Sequence, residues 1–320
     1  MSTTAHNPIT SALIFHSDAV ALGNSVPVCH NPPARVEWAK EGHVTLHFSD
    51  QPKQAFQRAR GALSISATSD QGQASRLQNL RQEGAYRAIF PRPSTPKLEA
   101  VVINTSGGVT GGDIFSIEIT AQENAQVALT TQAAERFYRA PDGNAGQITN
   151  RLNIGRNAQV YWLPQETILF DGCNIRRKLE VEVDPSGSTL ILEPMVFGRE
   201  ASGETIRSCR FQDCVSITSN DEMVYFDRIQ LTGDLTSSLA RAAVADGARA
   251  MASIILVDAN AALMLAPCRA LLPATAGASL LSNTVLVVRM LARDGFALRE
   301  ALLPLLECLT HNTVPKNWRL

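Results

Sequence analysis

Two stretches of this chain place apolar residues at every second position: Phe115, Ile117 and Ile119 against Ser116, Glu118 and Thr120, and Leu179, Val181 and Val183 against Lys178, Glu180 and Glu182. A strand points successive side chains to opposite faces, so each stretch reads as a strand with one buried and one wet face. Further strand candidates are His43 to Phe48, Ala85 to Phe90, Glu99 to Asn104, Gln126 to Thr130, Gln147 to Ile154, Gln159 to Leu163, Thr189 to Glu193, Thr205 to Thr218 and Met223 to Leu231. Gly, Asn-Ala or Asp-Pro-Ser-Gly turns separate many of them. Few helical periods occur before about residue 235, which argues against a βαβ architecture. The expectation is a mainly β chain, layered or solenoid-like, with a partly helical C-terminal region. Met251 to Val257 and Thr284 to Met290 could be strands there. Phe296, Leu298, Leu302, Leu303, Leu305, Leu306 and Leu309 stand at helical spacing across Phe296 to Thr310. Pro304 should kink that helix or force its first turn to start nearby.

Residues 1–40 are rich in Ser, Asn, Pro and small residues and carry no clear period, so they are expected to form a flexible extension ahead of one β-rich domain spanning 41–320. The 29 basic and 30 acidic residues leave a net charge of −1, which gives no electrostatic reason to expect nucleic acid or an anionic membrane as partner. No Lys or Arg precedes Arg35, so Ala12-Leu13-Ile14-Phe15 lacks the flank of a signal peptide, and it is too short to span a membrane. The six cysteines are scattered without a C-x-x-C pair. These features predict a cytoplasmic protein with reduced thiols.

The most unusual segment is Thr105-Ser106-Gly107-Gly108-Val109-Thr110-Gly111-Gly112-Asp113. Paired glycines mark a backbone of special shape. A phosphate loop needs Lys-Ser/Thr after its last glycine, where this one has Asp113, and a dinucleotide fingerprint needs a helix, where this one leads into a strand. Neither reading fits.

Five of the six histidines lie before residue 48 and the sixth is His311, so a histidine-based triad built from the central motifs is disfavoured. Carboxylates are the better candidates: Asp113, Glu166, Asp171, Glu193 and Glu204. Such groups among glycines and strand ends can simply accept backbone N–H bonds. Alternatively, several line one polar passage for a divalent cation, since carboxylates suit weak, exchangeable binding and Cys or His suit tight sites. Cys29-His30 is an adjacent pair of soft ligands but falls short of a metal shell. Cys209 and Cys214, five positions apart, should face opposite sides of a strand. Arg136, Arg139 and Arg199 could pair with these carboxylates as structural forks or serve a protein interface.

The ordered succession of the glycine segment from Asn104 to Asp113, then Leu129 to Arg139, Trp162 to Asp171, Gly198-Arg199 and Ser202-Gly203-Glu204 closely resembles the UreD (UreH) urease accessory protein family. Ser75-Arg76-Leu77, Gly84 to Pro91, and Val314-Pro315-Lys316-Asn317-Trp318 extend the resemblance over roughly residues 58 to 320. Ser106 and Tyr86-Arg87 depart from the common pattern. The resemblance implies a non-enzymatic scaffold that binds apo-urease and UreF, joins the UreG GTPase through UreF, and delivers nickel into urease. It also implies an internal polar tunnel for nickel(II) in transit, with no cofactor bound permanently. Asp113, Glu166, Asp171, Glu193 and Glu204 are the candidates for lining that tunnel or holding its walls. The C-terminal helix and the tail Pro315 to Leu320 are plausible UreF contacts. One alternative is a carbohydrate-active β-solenoid enzyme using Glu166 and Asp171 as paired carboxylates. Another is an interaction module without any passage.

Overall fold

In the computed structural model, residues 57–319 are described apart from 71, 72, 93, 142, 200 and 201, together with three earlier backbone strands. Strand accounts for 51% of the chain and helix for 14%, which bears out the mainly β, solenoid-like expectation. The first sheet runs in the order β1 (Ser11–Ile14), β17 (Glu222–Gly233), β16 (Cys209–Ser219), β14 (Asn174–Val183), β11 (Gly146–Ile154), β8 (Ile114–Ala121), β4 (Arg60–Thr68) and β5 (Arg76–Gly84). The second runs β19 (Ala276–Ser282), β20 (Val285–Ala292), β18 (Ala250–Val257), β15 (Ser188–Phe197), β12 (Gln159–Leu163), β9 (Gln126–Thr131), β7 (Leu98–Asn104) and β6 (Tyr86–Ile89). The short strands β10 (Glu135–Phe137) and β13 (Thr167–Leu169) pair with each other, and β13 with β15. The segment Asp18–Arg58 is a separate compact unit, in which β2 (Arg35–Trp38) pairs antiparallel with β3 (Val44–His47).

The middle of the chain alternates between the sheets: β8, β11, β14 and β16 join the first sheet, while β9, β12 and β15 join the second. Neighbours in each sheet are therefore parallel, with Gln147 beside both Ile114 and Arg176, and Gln159 beside both Gln126 and Ser188. Parallel pairing demands a long crossover, usually a helix. Here the strand of the opposite sheet is the crossover, which is why the strand density is high and helices are absent from this stretch. Successive coils turn at equivalent places on left-handed asparagines, Asn124 and Asn157, whose turns are joined by Asn124 N–H donating to the Arg156 carbonyl at 2.9 Å.

Burial separates the faces. Sheet one alternates buried and exposed positions, as in β14 and β11. The centre of the second sheet is covered on both sides, and every residue of β18 is buried, whereas the edge strands β19 and β6 are partly exposed. One core, containing Ile65, Phe115, Ile119, Leu129, Leu152, Ile175 and Phe211, fills the space between the sheets. The other face of sheet two carries Leu163, Leu190, Leu192, Ile254 and Leu256 against α2 (Ala261–Leu271), α3 (Gly295–Leu309) and Trp318. A short α1 (Leu235–Leu239) is capped by Asp234.

The expected C-terminal helix is α3, started by the Asp294 side chain accepting from Ala297 N–H. It does not begin near Pro304. The proline sits inside it on the exposed side, so the hydrogen bond it removes falls toward solvent. The strand expected over Thr205 to Thr218 begins only at Cys209. Apart from Ser11–Ile14 and Arg35–Trp38, the proposed extension 1–40 lies outside the described residues, as does Cys29-His30. Among the described residues no helix is long and apolar enough to cross a membrane.

Candidate functional site

The glycine segment is explained by close packing between successive coils. A Cβ on Gly108 would meet Tyr138 Cε2 at 2.4 Å and the Arg136 carbonyl at 2.7 Å, and one on Gly111 would meet the Asn144 carbonyl at 2.3 Å and Ala140 Cβ at 2.5 Å. Both glycines let this arc lie directly on the next one. Asp113, 3% exposed, closes the arc by accepting from Ala59 N–H and Thr110 N–H, each at 2.8 Å.

Three more of the candidate carboxylates hold chain segments together. Asp171 accepts from Arg207 N–H and Ser208 N–H, both at 2.9 Å, and pairs with Arg139. Glu204 accepts from Arg199 N–H at 3.0 Å, Arg199 Nε at 3.1 Å and Asp171 N–H at 3.2 Å, and these bonds hold its carboxyl below the usual range against a partial burial that acts the other way. Glu166 is bound by Arg299 from α3, at 3.1 Å to Oε1 and 3.0 Å to Oε2, and Arg299 also lies 4.8 Å from the Trp318 ring centre and donates to the Trp318 carbonyl. Glu166 thus faces the helical layer, and Asp171 is spent on other partners. They do not form the paired carboxylates of a glycosidase.

Glu193 differs. It points between the sheets, where Trp162 Nε1 donates to Oε1 at 2.9 Å and Arg177 Nη1 lies 2.7 Å from Oε2 without the alignment of a hydrogen bond. Arg177 in turn forks onto Asp213 and donates to Thr167 Oγ1 at 3.2 Å. Burial pushes the Glu193 carboxyl up to about 7, against the attraction of Arg177 and with the help of Asp213. Burial alone would lower the guanidinium of Arg177, but Asp213 and Glu193 hold it above its ordinary value.

This cluster continues sideways. Glu193 stands in register with Ser253 of β18, and Ser253 with Arg289 of β20. Arg289 pairs with Asp227 of β17, next to Tyr225, whose hydroxyl burial pushes up to about 12. Asn150 of β11 is buried on the same inner face as Ile148 and Leu152. In this layer Asn150 Oδ1 and Ser253 Oγ have no hydrogen-bond partner among the described residues, Glu193 Oε2 is held by its ion pair with Arg177, and the Tyr225 hydroxyl lies against Arg289 and Asp227. Beside Arg289 opens a cavity of about 230 Å³, otherwise mostly apolar, between Phe197, Ile229, Leu239 and Met251. Another, of about 130 Å³, is lined by Tyr86, Asn104, Ile117 and Glu135, whose carboxyl is pushed up by burial.

Of the five candidate carboxylates, the structure brings only Glu193 into this layer. Arg177, Asp213, Asp227 and Arg289 were absent from the sequence reading, yet each carried a signal. Arg177 falls at the parity of Ile175, Leu179 and Val181, Asp213 at that of Phe211 and Val215, Asp227 at that of Tyr225 and Ile229, and Arg289 at that of Val287 and Leu291. A charge on the apolar parity of a strand must be buried with a partner. Among the described residues no group of three or more His, Cys, Asp or Glu is arranged to hold a metal ion. Cys209 is buried with its Sγ 3.6 Å from that of Cys173, and Cys214 is half-buried on the other face of the strand.

The model of the family described as UreD urease accessory protein matches residues 59–319. A protein of Ruegeria pomeroyi named urease accessory protein UreD is 43% identical over 249 residues, covering 78% of this chain and 97% of the relative. One of the same name from Roseobacter denitrificans is 41% identical over 271 residues, covering 85% and 97%. Urease accessory protein UreD 1 of Brucella abortus is 37% identical over 270 residues, covering 83% and 96%.

Proposed function

This chain belongs to the family of UreD urease accessory proteins, and from that premise we propose that it serves urease maturation as a scaffold subunit without catalysis of its own. With UreF, and through UreF with the UreG GTPase, it delivers nickel(II) to the active site of apo-urease in the cytoplasm. Nickel is cargo here.

The observation that carries this reading is the polar layer between the sheets. A buried polar atom without a hydrogen-bond partner costs about 1–3 kcal/mol, and Asn150 Oδ1 and Ser253 Oγ lie unpartnered in one core layer with the charged groups Glu193, Arg177, Asp227 and Arg289, a poor choice for a core that only has to be packed. They suit a lining that exchanges hydrogen bonds with water or a hydrated cation in passage. The donors are carboxylate, amide and hydroxyl oxygens, which hold nickel weakly, whereas imidazole or thiolate would retain it. Asp113, Asp171 and Glu204 support the walls by fixing the arcs, Glu166 anchors the tail, and Glu193 is the one of the five that lines the layer.

The test is co-expression of the chain with UreF, UreG and apo-urease in a host lacking its own copies, with urease nickel content and activity as readouts. Urease should stay nickel-poor and inactive when the chain is omitted. It should also stay nickel-poor with Glu193→Gln in a chain that still co-elutes with UreF. Equal maturation without the chain would refute the reading.

A further inference from the structure

Cys173 and Cys209 meet inside the sandwich at the edge where the motif arcs return the chain to the first sheet. Cys173 directly precedes β14 and Cys209 opens β16, one step ahead of the register pair Asn174 and Arg210. The Arg210 N–H donates to the Cys173 carbonyl at 2.9 Å, so the two cysteines are lateral neighbours on parallel strands. Along the same inward face Ile175 then stands beside Phe211, and Arg177 beside Asp213. Both thiols are buried, at 2% and 1% exposure, and their Sγ atoms lie 3.6 Å apart.

Neighbouring strands stand about 4.8 Å apart, inside the Cα separation of about 4.4–6.8 Å that a disulfide accepts. A disulfide holds its sulfurs about 2.05 Å apart, so the gap to close is about 1.5 Å. Rotation of the two side chains and a slight shift of two strand starts suffice. Those starts follow the arcs 164–173 and 198–208, which are joined by Asp171 accepting from Arg207 N–H and Ser208 N–H and by Gly172 N–H donating to the Ser208 carbonyl at 2.6 Å. The cysteines are 36 positions apart in the chain, and a crosslink that closes a long loop is the kind that constrains the unfolded chain most.

We propose that Cys173 and Cys209 are a redox modification site: a small peroxide converts the pair to an intramolecular disulfide that staples the two arcs and fixes the start of β14 on β16, and an external thiol reverses it. One thiol loses its proton and its sulfur attacks a peroxide oxygen, breaking the O–O bond, so that the sulfur becomes a sulfenic acid and one water leaves. The second thiol then attacks that sulfur, the S–S bond forms, and the hydroxyl leaves as a second water. Two hydrogens and two electrons have passed from the protein to the peroxide. Where a compartment keeps thiols reduced, the disulfides that do form are usually transient, catalytic or redox-sensing, and a pair of thiols already in contact suits the last use.

The pair is guarded. The hydrogen-bond contact with the Cys173 thiol, and then burial, push the Cys209 thiol above its ordinary value, and a thiol attacks only as thiolate. Reaction in the closed structure is therefore slow, and the disulfide forms when the arcs open locally. Cys214 and Cys308 are only half-buried, so an alkylating reagent reaches them before it reaches this pair.

The experiment uses the full reduced chain. A short pulse of iodoacetamide blocks the accessible thiols under native conditions. Hydrogen peroxide is then added with and without urea at a concentration well below the unfolding transition, and the products are mapped by mass spectrometry after digestion. A peptide pair linked through Cys173 and Cys209 within one chain, lighter by two hydrogens than its reduced parts, should form about fivefold faster or more in the urea and vanish with dithiothreitol. Oxidised wild type should melt about 3 °C or more above reduced wild type. Cys173→Ala and Cys209→Ala, which keep the core apolar, should show neither the linked pair nor the shift. If wild type keeps both thiols free, or carries them to sulfinic acid without the linked pair, the inference fails. It fails equally if the pair appears only in the fully unfolded chain, or if oxidised and reduced wild type melt at the same temperature.

Discussion

Arg177 and Asp213 are register partners on adjacent parallel strands, joined by a two-pronged bond: Nε to Oδ1 at 2.9 Å and Nη2 to Oδ2 at 2.6 Å. Both side chains are nearly sealed from solvent, at 7% and 4% exposure. Such a pair contributes little over a hydrophobic replacement, but removing one member strands the other. Asp213→Ala should therefore cost about 3–5 kcal/mol in chemical denaturation. Asp213→Asn, which keeps an acceptor, should cost clearly less. Equal losses would mean that the guanidinium finds another partner.

Glu193 makes stability depend on pH in a direction opposite to that of most carboxylates. Folding raises its value from the unfolded range near 4.3 to about 7, so the native state binds the proton more tightly. The stabilisation this gives is complete below about pH 4.3 and is lost as pH rises through about 7. Melting temperatures of wild type and Glu193→Gln, measured from pH 4 to 8, should diverge, with wild type losing ground across that window. Parallel curves would show that Glu193 stays ionised.

Gly111 and Gly107 separate two reasons for a glycine. A Cβ on Gly111 collides with backbone, whereas at Gly107 it meets nothing within 4 Å but must sit at φ +78°. Gly107→Ala should cost about 1 kcal/mol. Gly111→Ala should cost about 1–3 kcal/mol or more. The reverse order in thermal melts would contradict the packing account of this segment.

Arg299 ties the C-terminal tail to the second sheet through Glu166, Gln165 and Trp318. Arg299→Gln should loosen the tail without unfolding the sheets. Limited proteolysis should then trim the last residues faster, and the emission of Trp318, now 1% exposed, should shift to the red. An unchanged cleavage rate would mean that the Trp318 indole bond to the Leu163 carbonyl, 2.9 Å, suffices alone.

Much of the fold was legible. The alternations at Phe115–Ile119 and Leu179–Val183 appear as β8 and β14, and the leucines after Phe296 form the buried side of α3. Helix α2 was missed, since Ala261–Leu271 is short and interrupted by Pro267. The edges of β16 were misjudged because Thr205 to Ser208 continue the strand's composition while their backbone is spent on Asp171 and Thr236. The candidate site was legible only in part. Carboxylates among glycines stand out in the sequence, but Asp113, Asp171 and Glu204 bind backbone, and of the charges between the sheets only Glu193 is among the candidates, because Arg177, Asp213, Asp227 and Arg289 show only as charges on the apolar parity of their strands.

By itself the sequence determined the strand period, the turn positions, the family and the acidity of the motif arcs, since these depend on residues close together in the chain. Only the tertiary structure decided which charges meet. Arg177 and Asp213 are separated by 36 positions, and Arg299 and Glu166 by 133. Coiling of the parallel strands sets the first distance, and the docking of α3 on the second sheet sets the other.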